Sequence, residues 1–124
     1  MRKRVLIVDD DPCLQSLLQV ILELEDYEVI LAENGLVALE KLDIITPDLI
    51  LLDLSMPHMD GLTFAQAVQQ RNSHASPPIL ILTADVNAKT QAQQMGCNNF
   101  CTKPFELRQF LREVAKLIYP LGIL

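Results

Sequence analysis

The stretch Leu49-Ile50-Leu51-Leu52-Asp53 (LILLD, residues 49–53) decides how this chain folds. Four aliphatic residues in a row, with no polar alternation, describe a strand covered on both faces, as central strands of parallel sheets are. A carboxylate follows directly, at a place where an unpaired charge is costly. A second run of the same kind, Ile79-Leu80-Ile81-Leu82, leads into Thr83-Ala84. Further strand-length runs stand at Arg4–Val8, Val29–Ala32 and Asn99–Cys101.

Helical patterns fill the intervals. Leu14, Leu17, Leu18 and Ile21 recur at i, i+3, i+4 and i+7, behind an Asp11-Pro12 start that suits an N-cap and first helical position. Gly35, Ala38, Leu39 and Leu42 predict a shorter second helix after the polar turn Glu33-Asn34. A third begins after Asp60-Gly61 and carries Leu62, Ala65 and Val68. The last runs from about Phe105, with Leu107, Phe110, Leu111, Val114 and Ile118 on one face. The fourth helix, roughly Val86–Met95, offers only Ala88, Ala92 and Met95 to a core, and a thinly anchored helix is a candidate moving part.

Five βα units in series predict an α/β fold: a five-stranded parallel sheet, doubly wound by five helices through right-handed crossovers. For five strands the order 2-1-3-4-5 is favoured, and ligands then bind beyond the carboxyl ends of strands one and three. A length of 124 residues predicts one domain over 1–124, with no room for a second. Half of the residues are hydrophobic, enough for a core without disulfides or a structural metal.

Charge narrows the function. Sixteen acidic residues against ten basic ones, a net charge of −6, disfavour direct binding of nucleic-acid phosphates. Cys13, Cys97 and Cys101 make an odd count without a CxxC pair, which suits reduced thiols in the cytoplasm. The basic start and Val5–Val8 are cut short by Asp9-Asp10-Asp11, too soon for a signal peptide. No stretch approaches the ~20 apolar residues of a membrane helix. The expectation is a soluble cytoplasmic domain.

The predicted order gathers Asp9 and Asp10 from strand one, Asp53 from strand three, Thr83 from strand four and Lys103 from beyond strand five. Asp11 is spent on the helix cap; Asp9 and Asp10 are not explained that way. Three carboxylates in one crevice repel one another unless cations sit among them. Lys103 supplies one charge, and a hard divalent ion on oxygen ligands, for which Mg²⁺ is suited, supplies the rest. A carboxylate nucleophile beside such charges can accept a phosphoryl group. Taken singly, Thr83 is equally a strand-end residue and Lys103 an ordinary surface lysine.

The strings VLIVDDDP (5–12), LILLDLSMPHMDGL (49–62), ILILTA (79–84) and NNFCTKPF (98–105) resemble, in order and spacing, the signature segments of response-regulator receiver domains of two-component signalling. The resemblance spans essentially the whole chain and implies the flavodoxin-like receiver fold. It implies Asp53 as phosphoryl acceptor, with Mg²⁺ held by Asp9, Asp10, Asp53 and the main-chain carbonyl of Ser55, Asp10 being the more direct of the first two. It further implies Lys103 on the phosphoryl group, Thr83 and Phe100 as switch residues, and a cis Lys103–Pro104 bond. The donor would be a sensor histidine kinase or histidine phosphotransfer protein. The output would be a protein target meeting the fourth helix, fifth strand and fifth helix. Such a domain is a signalling switch rather than a turnover enzyme, catalysing only its own phosphorylation and dephosphorylation.

Other residues modulate that expectation. Ser55 and Asp85, each two residues beyond Asp53 and Thr83, flank the path of a hydrolytic water, and Phe100 lacks a hydroxyl for any tyrosine-type switch bond. Asn98-Asn99 replaces an acidic pair common in DNA-binding members that dimerise through salt bridges. His58 and His74 read as loop residues, and Cys101 as a small buried hydrophobe. The tail Tyr119–Leu124 is apolar and would pack on the domain, meet a partner or begin a linker. Competing readings are a constitutive interaction module, a small Mg²⁺-dependent phosphatase and an FMN carrier. The phosphatase lacks a second acid at Ser55 and a cap domain; the carrier lacks a phosphate loop after strand one.

Overall fold

The computed structural model describes residues 2–54, 61–71, 76–94 and 96–120. Ten elements alternate: β1 (Arg4–Val8), α1 (Pro12–Leu24), β2 (Glu28–Ala32), α2 (Gly35–Leu42), β3 (Leu49–Asp53), α3 (Gly61–Arg71), β4 (Ile79–Thr83), α4 (Val86–Gln94), β5 (Phe100–Thr102) and α5 (Leu107–Ile118). The strands form one parallel sheet in the expected order β2-β1-β3-β4-β5.

Parity along the strands builds two cores. Leu6, Val8, Ile50, Leu52, Ile79 and Ile81 face Ala38, Phe64, Ala65, Val68 and Ala92 of α2, α3 and α4. Val5, Ile7, Leu49, Leu51, Leu80 and Leu82 face Leu18, Leu22, Phe110, Val114 and Ile118 of α1 and α5. Every residue of β3 and β4 is buried, which is why those runs show no alternation. β1 has the expected bounds and three strands exceed theirs by one residue: β2 starts at Glu28, and β3 and β4 include Asp53 and Thr83, while β5 is shifted by one to Phe100–Thr102. Parallel pairing to a neighbour carries β3, β4 and β5 past their apolar runs.

Two helix faces differ from expectation. Leu17 is exposed, because Leu18 and Leu22 take the buried side of α1. Likewise α5 starts at Leu107 rather than near Phe105, since the Glu106 carboxylate caps it by accepting the Arg108 and Gln109 N–H groups; Leu107 is therefore exposed. In α4 only Ala92 is buried, in keeping with its thin apolar side. Cys101 is buried, as expected, and so is Cys97. Met95, Asp60, His58, His74 and the tail beyond Pro120 lie outside the described residues.

Caps fix the turns that feed the helices. Asp11 accepts the Cys13 N–H at 2.9 Å with Pro12 opening α1, and Asn34 accepts the Val37 N–H at 2.9 Å. At the other end of α1, Tyr27 N–H reaches Leu22 O at 3.1 Å and Asp26 N–H reaches Glu23 O at 3.0 Å. This double closure needs a left-handed residue, and Asp26 supplies it at φ 68°. That conformation costs a non-glycine residue roughly 1–2 kcal/mol, less for Asp, while glycine loses about 0.4–1 kcal/mol more chain freedom on folding. Asp26→Gly is expected to stabilise the protein by up to about 1 kcal/mol, and Asp26→Val to destabilise it. Urea unfolding followed by circular dichroism checks the order of the three midpoints.

Candidate functional site

Parallel strands end together, so residues 9, 53 and 83 and the segment after β5 meet at one edge of the sheet. Asp9 leaves β1 with its N–H on the Ala32 carbonyl at 3.1 Å. Its side chain turns inward and is 1% exposed; Asp53, at the end of β3, is 3% exposed, while Asp10 lies at the surface. Ligand oxygens of these three carboxylates all lie within 4.8 Å of one another, the arrangement a hard cation takes. Lys103 answers part of the charge: its Nζ lies 3.1 Å from Asp53 Oδ1. Its main-chain N–H donates to Thr83 O at 3.0 Å, tying the lysine's backbone to β4. The Lys103–Pro104 bond is cis, as the resemblance implied.

One oxygen is left over. Asp9 Oδ1 accepts the Asp11 N–H at 3.0 Å, but Oδ2 is buried without a hydrogen-bond partner. A buried carboxylate oxygen with no donor is costly, and its nearest company is other carboxylates. Burial above all, and then the charge of Asp53, push the Asp9 carboxyl from 3.8 up to about 6, against the pull of the Asp11 N–H and of Lys103. A divalent cation fits this donor set, satisfying the orphaned oxygen and removing the repulsion together.

Thr83 is buried, and its Oγ1 accepts the Asp85 N–H at 3.0 Å, which holds the turn into α4. Beside it lies a cavity of about 290 Å³ lined by Leu54, Thr83, Ala84, Asp85, Ala88 and Lys103. The Asp85 carboxylate accepts the Asn87 N–H at 2.9 Å and so caps α4, a use that an Asp directly before a helix start signals. Phe100 is half-buried against the α2–α4 core, and Lys89 of α4 places its Nζ 5.4 Å from the Phe100 ring centre. This cation–π contact joins two elements and carries no periodic signal in the sequence. Ser55, the further ligand the resemblance implied, lies outside the described residues. A second cavity of similar size, between Leu42, Pro47, Val68 and Arg71, lies at the opposite edge. Its one charged side chain among the described residues, Arg71, already bonds the Leu39 carbonyl and pairs with Asp43, which leaves the acidic edge as the candidate site.

The raised Asp9 carboxyl has a definite pH consequence. A group whose pKa rises on folding contributes stability below its unfolded value, and that contribution is lost as pH rises through the folded value. Here the window runs from 3.8 to about 6. In buffer stripped of divalent ions, Asp9→Asn is expected to be more stable than wild type above pH 6, the gap closing as pH falls toward 3.8. Asparagine keeps an acceptor for the Asp11 N–H, so a gap that did not vary with pH would assign the effect to something other than charge.

Residues 5–115 match the family model of the response regulator receiver domain. The DNA-binding dual master transcriptional regulator RpaA of Synechocystis sp. is 36% identical over 117 residues, covering 93% of this chain and 48% of RpaA. The chain thus spans about half the length of the curated regulators it first matches. Among solved structures, a response regulator signal receiver domain from Bermanella marisrubri superposes with a TM-score of 0.87 at 32% identity, covering 95% of this chain and 99% of the other. The receiver domain of the sensor histidine kinase PA1611 from Pseudomonas aeruginosa PAO1, with a magnesium ion coordinated in its active site cleft, superposes with a TM-score of 0.86 at 26% identity, covering 95% and 98%. With the expected strand order, the acidic edge and a family match over nearly its whole length, the chain belongs to the response regulator receiver domains of two-component systems.

Proposed function

We propose that residues 1–124 form one receiver domain that takes a phosphoryl group on Asp53 from a phosphohistidine of a sensor histidine kinase or a histidine phosphotransfer protein. The observation that carries this reading is the buried, donorless Asp9 Oδ2 beside the Asp10 and Asp53 carboxylates, with Lys103 paired to Asp53. Such a concentration of negative charge suits a site that binds a cation and, with it, an incoming anion. Asp9, Asp10 and Asp53 would hold Mg²⁺, with the Ser55 carbonyl as a further ligand. When bound, the ion supplies positive charge that offsets the carboxylates and the phosphoryl oxygens. The magnesium in the cleft of the PA1611 receiver supports this choice of ion.

The chain's own residues do the rest. An Asp53 carboxylate oxygen forms the new bond to phosphorus as the donor's phosphorus–nitrogen bond breaks, and the departing imidazole takes a proton from solvent water. Lys103, already beside Asp53, neutralises charge on the transferred oxygens. The product adds about −1.5 to −2 of charge, and the Thr83 hydroxyl donates to it, giving up its bond from the Asp85 N–H. Phe100 then moves toward the cavity beside Thr83, and the face of α4, β5 and α5 changes for a protein target. The net charge of −6 supports a protein rather than a nucleic acid as that target. Among the described residues no helix is long and apolar enough to cross a membrane.

Incubation with acetyl phosphate, followed by intact mass, tests the acceptor. One phosphoryl group is expected with Mg²⁺, none with chelator and none on Asp53→Asn. Thr83→Ala is expected to take the phosphoryl group yet leave the amide spectrum of α4 and β5 unshifted. If wild type gained no mass from any donor, the domain would instead be a constitutive interaction module.

A further inference from the structure

Gln15 lies one turn into α1, where the sequence reads as a polar surface position, yet its side chain reaches the sheet. Its Nε2 donates to the main-chain carbonyl of Asp9 and, at 3.2 Å, to that of Ala32. The Ala32 carbonyl also accepts the Asp9 N–H. Both peptide groups flanking Asp9 are therefore fixed, one by the end of β2 and the other by Gln15. With Oδ1 held by the Asp11 N–H, the side chain keeps Oδ2 as its one oxygen without a donor. The chemistry selects this residue type. Two carbonyl acceptors need two donors, and a primary amide gives both from one nitrogen without charge. A carboxylate would face the carbonyls with acceptors only; a cation would compete with the ion the acidic edge binds.

We infer that Gln15 is a positioning residue for the acidic site, holding the Asp9-Asp10 turn in the geometry that binds the divalent cation. It touches neither the reacting atoms nor the carboxylates themselves, and acts through the main chain of Asp9. The inference rests on the reading of Asp53 and its carboxylate neighbours as a Mg²⁺-dependent phosphoryl site. Partners that orient ligands are commonly worth 10–100-fold in metal affinity. Because Gln15 acts on backbone rather than on a ligand atom, the lower end, roughly tenfold, is expected.

The experiment is a Mg²⁺ titration of the ¹⁵N-labelled full chain, well below its unfolding temperature, on wild type, Gln15→Met and Gln15→Arg, with hydrogen exchange of the Asp11 amide in the metal-free state. Methionine keeps the length and helix propensity of glutamine but donates nothing. Gln15→Met is expected to bind Mg²⁺ roughly tenfold more weakly and to exchange its Asp11 N–H faster, with the β3 amides as protected as in wild type. Gln15→Arg, which retains donors for both carbonyls, is expected to keep the Asp11 N–H protected. A merely structural glutamine would lower the unfolding midpoint of Gln15→Met while leaving Mg²⁺ affinity and Asp11 exchange as in wild type, and that result overturns the inference. Equal loss of Asp11 protection in both variants also overturns it. A wild-type protein that bound no Mg²⁺ would overturn the phosphoryl-site reading together with this inference, whereas tight wild-type binding with an unchanged Gln15→Met would overturn the inference alone.

Discussion

Three carboxylates crowded at one edge of a sheet set the terms for the rest of this protein. Two of them are placed by main-chain pairing: Asp9 through its N–H on Ala32, and Asp53 by its place in β3 beside β4. Mutual repulsion at such range would drive flexible side chains apart, yet two of these three are buried and have nowhere to go. Lys103 offsets one charge through its contact with Asp53, while burial above all, and then the charge of Asp53, raises the Asp9 carboxyl. The imbalance is the useful property, since it is relieved by a cation and, with that cation present, by an incoming anion.

A site of this kind needs a rigid frame, and the frame comes from burying both faces of the sheet. Successive residues of β1, β3 and β4 contribute alternately to the two cores. Shifting any of these strands by one residue would exchange its two faces and withdraw a functional residue from the edge. Register in the core and geometry at the edge are therefore one constraint. Caps at Asp11, Asn34, Asp85 and Glu106 hold the turns on the same edge, so that helix starts and site loops are fixed by the same residues.

The frame is uneven. Within Val86–Gln94, helix α4 buries only Ala92, and Lys89 lies over the Phe100 ring. A cavity separates its first turn from Thr83 and Lys103. Elements with few buried apolar contacts open at low free energy. The side of the domain nearest to Thr83 is thus thinly anchored by α4.

Much of this was legible in the sequence. Unbroken aliphatic runs required strands covered on both faces, their alternation with helical patterns required a parallel sheet, and the order of that sheet brought Asp9, Asp10, Asp53, Thr83 and Lys103 to one edge. Periodicity was less informative where an element carries more apolar residues than its buried side can use, as Leu17 and Leu107 illustrate. Hydrogen bonds to main-chain carbonyls leave no composition or spacing signal, because every residue type presents the same carbonyl; hence the reach of Gln15 to the Asp9 and Ala32 carbonyls was not legible there. The identities of the charged and hydroxyl groups were determined by the sequence itself. Which of their oxygens are satisfied, which one is left without a donor, and which neighbour holds each loop in place were decided only by the tertiary structure, because those properties belong to distances between segments that the linear order of residues does not contain.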